Sequence, residues 1–173
     1  MRNVGRVFIV AAMMILGAAV SNLYAQASFL EFLKSQNTGK PAADFTLKNL
    51  KGEDVNMTAY RDGKRAIIFF WATWCPHCRE ALEHLNKNFA EIEKKNIKVI
   101  LVDVGEGAAD VSEHFKRHNI TMDVLLDTNN SLAEAYSIVG VPTFYFIDEK
   151  GIAQAVKHSL PKDYEILFGK SVK

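Results

Sequence analysis

The sequence predicts an α/β domain: a central mixed sheet covered by helices on both faces, with a β-hairpin added at its N-terminal end. Three observations predict it. Two nearly continuous apolar runs, Ala66-Ile67-Ile68-Phe69-Phe70-Trp71 and Val99-Ile100-Leu101-Val102-Asp103-Val104, have the composition of strands buried on both faces. Each is followed by a segment whose apolar residues recur at helical spacing, and alternating strand and helix implies right-handed crossovers and parallel strands. Near the C-terminus the alternation stops. There two apolar stretches are joined by Asp148-Glu149-Lys150-Gly151, a turn-forming set that predicts an antiparallel hairpin.

In chain order, Arg2 and Arg6 precede the apolar run Val7 to Val20, which passes into small residues between Ser21 and Ala27. A basic start, an apolar stretch and a small-residue ending form an export signal over residues 1–27, with Ala25 and Ala27 as cleavage points. Residues 7–25 approach the lower length limit for spanning a bilayer, so retention as a membrane anchor stands beside cleavage. Residues 28–40 read as a linker holding an amphipathic turn at Phe29 to Leu33, and residues 41–173 as the folded domain. Asp44-Phe45-Thr46-Leu47 and Val55-Asn56-Met57 flank Lys51-Gly52-Glu53 and predict the small hairpin over one edge of the sheet.

After the first buried strand the period changes, since Cys78, Leu82, Leu85, Phe89 and Ile92 share one helical face. The second buried strand leads into a helix from Ala109 to His118, with Val111 and Phe115 on one side. A short strand at Asp123 to Leu126, a helix from Ser131 to Val139 and the hairpin strands Thr143 to Ile147 and Ile152 to Val156 follow. Pro161 opens a last helix that runs to Phe168.

A chain of 173 residues suffices for one domain with a sizeable core. With 49% apolar and 24% charged residues it is neither disordered nor fibrous in type. The formal charge of +1 becomes −1 without residues 1–25, which hold two basic residues and no acidic one. No basic stripe or acidic tail is present, which argues against a nucleic-acid partner.

The chemistry concentrates where the first buried strand meets its helix, in Trp74-Cys75-Pro76-His77-Cys78. These two cysteines are the only ones in the chain, and their bond would close too small a loop to add much stability, so a reactive role is favoured. At the first turn of a helix, unpaired N–H groups and the positive dipole end favour a Cys75 thiolate. Pro76 suits the first helical position, where its missing N–H loses no bond. Cys78 lies three residues on, within reach of the first sulfur. His77, when protonated, stabilises the thiolate and makes the disulfide more oxidising. Cys75 is thus the expected nucleophile and Cys78 the resolving thiol. A zinc site is the competing use, since His114-x-x-x-His118 offers a second pair at a permitted spacing, although about thirty-five residues separate the two pairs. His84 and His158 read as solvated residues.

Trp71-Ala72-Thr73-Trp74-Cys75-Pro76-His77-Cys78, the Gly140-Val141-Pro142-Thr143 element and the strand-helix order together resemble the thioredoxin superfamily. The N-terminal hairpin, the export signal and Val102-Asp103-Val104-Gly105-Glu106 are similar to its TlpA/ResA-like exported thiol-disulfide oxidoreductases, over roughly residues 40–168. The resemblance implies a thioredoxin-like fold in which Pro142 is a cis-proline facing the cysteines and the backbone of Val141 pairs with an extended substrate strand. It implies that Trp74 shields the disulfide or meets substrate, and that Glu106 is a carboxylate close to the cysteines that tunes their acidity. One departure stands out. Thioredoxin has a buried aspartate six residues before its first cysteine, and here that position is Phe69.

The function so implied is an exported, periplasmic or otherwise extracytoplasmic thiol-disulfide oxidoreductase that needs no metal or organic cofactor beyond its own Cys75–Cys78 pair. Its partners are a protein thiol or disulfide substrate and a separate redox protein, such as a membrane electron donor. The resemblance favours a reductant, for instance of the haem-attachment cysteines of apocytochrome c. The Pro76-His77 dipeptide is instead shared with DsbA-type oxidants. A non-catalytic copper- or zinc-binding module is a rival of another class, and peroxidase activity a weaker one, because the threonine and proline that precede a peroxidatic cysteine are not in place before Cys75.

Overall fold

Why the chain builds its sheet around the run at 65–71 follows from what that run buries. In β3 (Arg65–Trp71), Ile67, Phe69 and Trp71 enter one hydrophobic cluster and Ala66, Ile68 and Phe70 the other, all fully buried. A strand apolar on both faces is stable only between two helical layers and with neighbours on both edges. The computed structural model describes residues 38–169. Within them the order continues from β1 (Thr46–Asn49), β2 (Asp54–Asn56) and α1 (Met57–Arg61) through β3 to α2 (Pro76–Lys94), β4 (Ile97–Val104), α3 (Ala108–Arg117) and β5 (Val124–Asp127). Then come α4 (Ser131–Ala135), β6 (Thr143–Ile147), β7 (Ala153–Lys157) and a 3-10 helix (Tyr164–Phe168). The described strands form one mixed sheet in the order β2-β1-β5-β4-β3-β6-β7. Helices α2 and α3 and the 3-10 helix pack on one face, α1 and α4 on the other.

Strands β3, β4 and β5 are parallel, β6 runs antiparallel to β3, and β7 antiparallel to β6. This polarity places the site. The C-terminal ends of β3 and β4, the N-terminal end of β6 and the C-terminal end of β7 all lie at one end of the sheet. Strands β1 and β2 pair antiparallel, and β1 also pairs with β5, so this hairpin covers that edge of the sheet by adding two strands to it. Gly39 N donates to Ala153 O at 2.8 Å and Ala153 N to Lys40 O at 2.9 Å, which docks the start of the described chain on β7. The segment expected to be an export signal, the turn expected at Phe29 to Leu33 and residues 28–37 of the expected linker lie outside the described residues. Among the described residues no helix is long and apolar enough to cross a membrane.

Three elements differ from the sequence expectation. Met57, expected in the second hairpin strand, instead opens α1, whose start is capped by the Asn56 side chain accepting Ala59 N at 2.9 Å. The helix expected over Ser131 to Val139 ends at Ala135, because Ser137 turns into the left-handed region at φ 52°. Ile138 N then bonds back to Ala133 O at 2.8 Å and Ser137 N to Glu134 O at 2.9 Å, a Schellman closure made without glycine. The last helix, expected from Pro161, is a single 3-10 stretch beginning at Tyr164, with Pro161 outside it. Its apolar residues Tyr164 and Phe168 still bury against the sheet, Phe168 meeting Phe146 edge-on at 5.5 Å.

Candidate active site

Strand β3 ends at Trp71, and four residues later Cys75 caps α2 in an extended conformation (φ −91°, ψ 111°). Pro76 occupies the first helical turn, where no intrahelical acceptor awaits its missing N–H. The Cys75 side chain accepts the Cys78 N–H at 3.2 Å, a cap that would strengthen if the sulfur were charged. Cys75 and Cys78 form a disulfide with Cα atoms 5.2 Å apart. Cys75 is 5% exposed and Cys78 0%, so the first sulfur is the one nearer solvent. His77 is exposed on the helix start, and Trp74, directly before Cys75, is 70% exposed.

The wall opposite comes from the loop into β6. Val141–Pro142 is a cis peptide bond, and Val141 O stands 3.7 Å from Cys75 Sγ. Val141 and Pro142 are both half-buried, leaving part of the loop open beside the sulfur. Beneath the cysteines, Phe69 stacks on Phe144 with ring centroids 4.3 Å apart, so the position where thioredoxin has its buried aspartate is filled by two rings.

Acidic groups approach from the neighbouring strand instead. Gly105 turns the chain after β4 at φ +83°, where a Cβ would stand 2.9 Å from Asn130 Oδ1, so the turn requires glycine. Glu106 follows. Its Oε2 accepts Thr73 N at 2.6 Å and its Oε1 accepts the Thr73 hydroxyl, which ties the carboxylate to the backbone two residues ahead of Cys75. Glu106 thus lies at the site and reaches it by way of Thr73.

Asp103 is the group that sequence reasoning missed. It is fully buried at the end of β4, in register with Trp71, and its Oδ1 accepts Glu106 N at 3.2 Å. Burial, with the adjacent Glu106 carboxyl as second cause, pushes the Asp103 carboxyl up to about 8. Its Oδ2 is buried without a hydrogen-bond partner, and an uncompensated charge there is costly, so the group is held toward its uncharged form. His114 packs against Trp71 at 5.5 Å and against His118 at 4.4 Å, and burial followed by the His118 charge holds its imidazole below the usual range. His118 meets Glu83 at 3.3 Å. Among the described residues no group of three or more His, Cys, Asp or Glu side chains is placed to hold an ion.

Residues 38–156 match the AhpC/TSA family. The chain is 29% identical over 126 residues to the thiol-disulfide oxidoreductase ResA of Geobacillus kaustophilus, covering 72% of each chain. It is 35% identical over 126 residues to the thioredoxin-like protein YneN of Bacillus subtilis, covering 68% of this chain and 69% of that one. Among solved structures, a thiol:disulfide interchange protein of the thioredoxin family from Chlorobium tepidum superposes with a TM-score of 0.64 at 25% identity, covering 74% of this chain and 92% of that one.

Proposed function

The chain belongs to the AhpC/TSA family and is a thiol-disulfide oxidoreductase of the thioredoxin-like ResA type, and from that premise we propose that it reduces disulfides in exported proteins through Cys75. The observation that carries the reading is the asymmetry of the pair, one sulfur at the rim accepting the N–H of α2 and the other buried behind it. In the reduced enzyme the Cys75 thiolate attacks one sulfur of a substrate disulfide, forming a mixed disulfide and releasing the first substrate thiolate. Cys78 then loses its proton and attacks the Cys75 sulfur. The second substrate thiolate leaves and takes up a proton, and the enzyme holds the Cys75–Cys78 disulfide. Two electrons from a separate redox partner restore the dithiol, and no metal or organic cofactor enters the cycle.

Trp74, Val141 and Pro142 receive the substrate: the backbone at Val141 pairs with an extended segment and Trp74 covers its far side. The substrate class proposed is the exported protein whose cysteines must stay reduced, as the haem-attachment cysteines of apocytochrome c must. Export rests on residues 1–27, cleaved or kept as an anchor through residues 7–25.

Pro76-His77 at the helix start supports the opposite direction, an oxidant, because a charged imidazole there stabilises the thiolate. Equilibration of the Cys75–Cys78 pair with a glutathione or dithiothreitol series separates the two. A potential near the thioredoxin end, about −270 mV, is expected; a value near −120 mV would overturn the reductant reading.

Glu106 is proposed to raise the thiol pKa values by like-charge repulsion and to act as a base for Cys78 when charged. Glu106→Gln is therefore expected to move the pH midpoint of Cys75 alkylation down by about one unit. Superimposable curves for parent and variant would remove Glu106 from the mechanism.

A further inference from the structure

The loop that faces Cys75 is held by a residue that the sequence reading assigned to solvent. In β7 the antiparallel register pairs Tyr145 with Val156 and Phe144 with Lys157. One step further along the same register, His158 stands opposite Thr143, the residue after the cis-proline. Their side chains meet, with His158 Nδ1 3.1 Å from Thr143 Oγ1. The same Nδ1 is 3.3 Å from Pro142 O. Thr143 Oγ1 in turn donates to Gly140 O at 2.6 Å.

These distances decide where the proton sits. The one hydrogen of the Thr143 hydroxyl is committed to Gly140 O, so Oγ1 can only accept from the imidazole, and Pro142 O is a carbonyl that can only accept. A nitrogen facing two acceptors must carry a hydrogen. The network therefore assigns His158 the Nδ1–H tautomer when neutral, and the same N–H persists in the imidazolium. His158 shares one donor between both sides of the loop, and with Thr143 it ties Gly140 and Pro142, the two residues that flank Val141.

We propose that His158 is a positioning residue for substrate, a strap that holds the 140–143 loop so that Val141 presents its backbone to the substrate segment beside Cys75. The proposal rests on the thiol-disulfide reading of the site. His158 is exposed and contributes nothing to either hydrophobic cluster, so core packing does not explain its placement. A rigid edge binds an extended segment better than a loose one, because less order is lost on association. The strap acts on substrate pairing and not on the sulfurs, and this separates it from a change in redox poise.

The test uses the full chain with two disulfides: a disulfide-bonded peptide long enough to pair with Val141, and 5,5′-dithiobis(2-nitrobenzoate), which has no backbone to pair. His158→Ala is expected to raise KM for the peptide 5- to 10-fold with kcat little altered. The ratio of kcat/KM for the peptide to that for the small disulfide should fall by the same factor. His158→Asn, whose Nδ2 can donate from nearly the same place, should recover most of it. An unaltered peptide KM in His158→Ala, an equal loss on both disulfides, a shifted glutathione equilibrium, or no recovery in His158→Asn would each overturn the strap while leaving the oxidoreductase reading standing. A parent protein inactive on both disulfides would instead overturn that reading.

Discussion

Cys78→Ala is expected to abolish turnover of a protein disulfide while leaving Cys75 able to capture the substrate. Cys75 caps α2 at the rim, and the N–H that supports its thiolate belongs to the backbone of residue 78, which the substitution retains. The first half of the exchange therefore survives. The second does not, because no other described cysteine can resolve the mixed disulfide. Loss of turnover on the order of 1,000-fold or more is expected, as when one member of a catalytic unit is removed. The readout is a covalent one-to-one adduct on a non-reducing gel and by mass spectrometry. Cys75→Ala should give no adduct, because Cys78 is fully buried. Both variants should fold: truncating a thiol to a methyl leaves a small void on α2, costing about 1 kcal/mol. An adduct formed through Cys78 in Cys75→Ala would reverse the assignment of nucleophile and resolving thiol.

The parts of the fold legible in the sequence are those whose stability is set by local composition. Strand β3 could be recognised because burial on both faces leaves no polar position between Ala66 and Trp71, and α2 because Leu82, Leu85 and Ile92 keep one helical face over about three turns. The early end of α4 was not legible. A left-handed C-terminal residue is ordinarily glycine or asparagine, and here Ser137 takes that conformation because the closure to Ala133 and Glu134 compensates for it. The cysteines could be read from spacing, since a Cys-x-x-Cys pair is a local motif. The two polar residues that surround the site in space could not. Asp103 interrupts the apolar run from Val99 to Val104, and its importance depends on which strand lies beside β4 and where Glu106 is turned. His158 shows the same limit from the other side, since its partner Thr143 lies 15 residues away and only the hairpin register brings them together.

Asp103→Asn is expected to stabilise the protein at neutral and alkaline pH. The carboxyl is raised from an ordinary 3.8 to about 8 on folding, so between these values the folded chain holds a proton that the unfolded chain has released. Stability then falls as pH rises, by up to about 1.4 kcal/mol per unit for a single such group. Below about pH 4 the acid is protonated in both states and the difference vanishes; above about 8 it is charged in both, and the full cost of burying it beside Glu106 is present. Asparagine has the same shape. Its Oδ1 can keep the bond from Glu106 N, and it never ionises, so the charge that burial penalises is removed. Denaturant unfolding of parent and variant at pH 5 and pH 7 should therefore diverge by on the order of 3 kcal/mol, the parent losing stability over that span and the variant changing little. If the two lose stability in parallel, or if the variant is the weaker at pH 7, Asp103 is charged in the folded protein, and Glu106 has no proton-bearing neighbour beneath the cysteines.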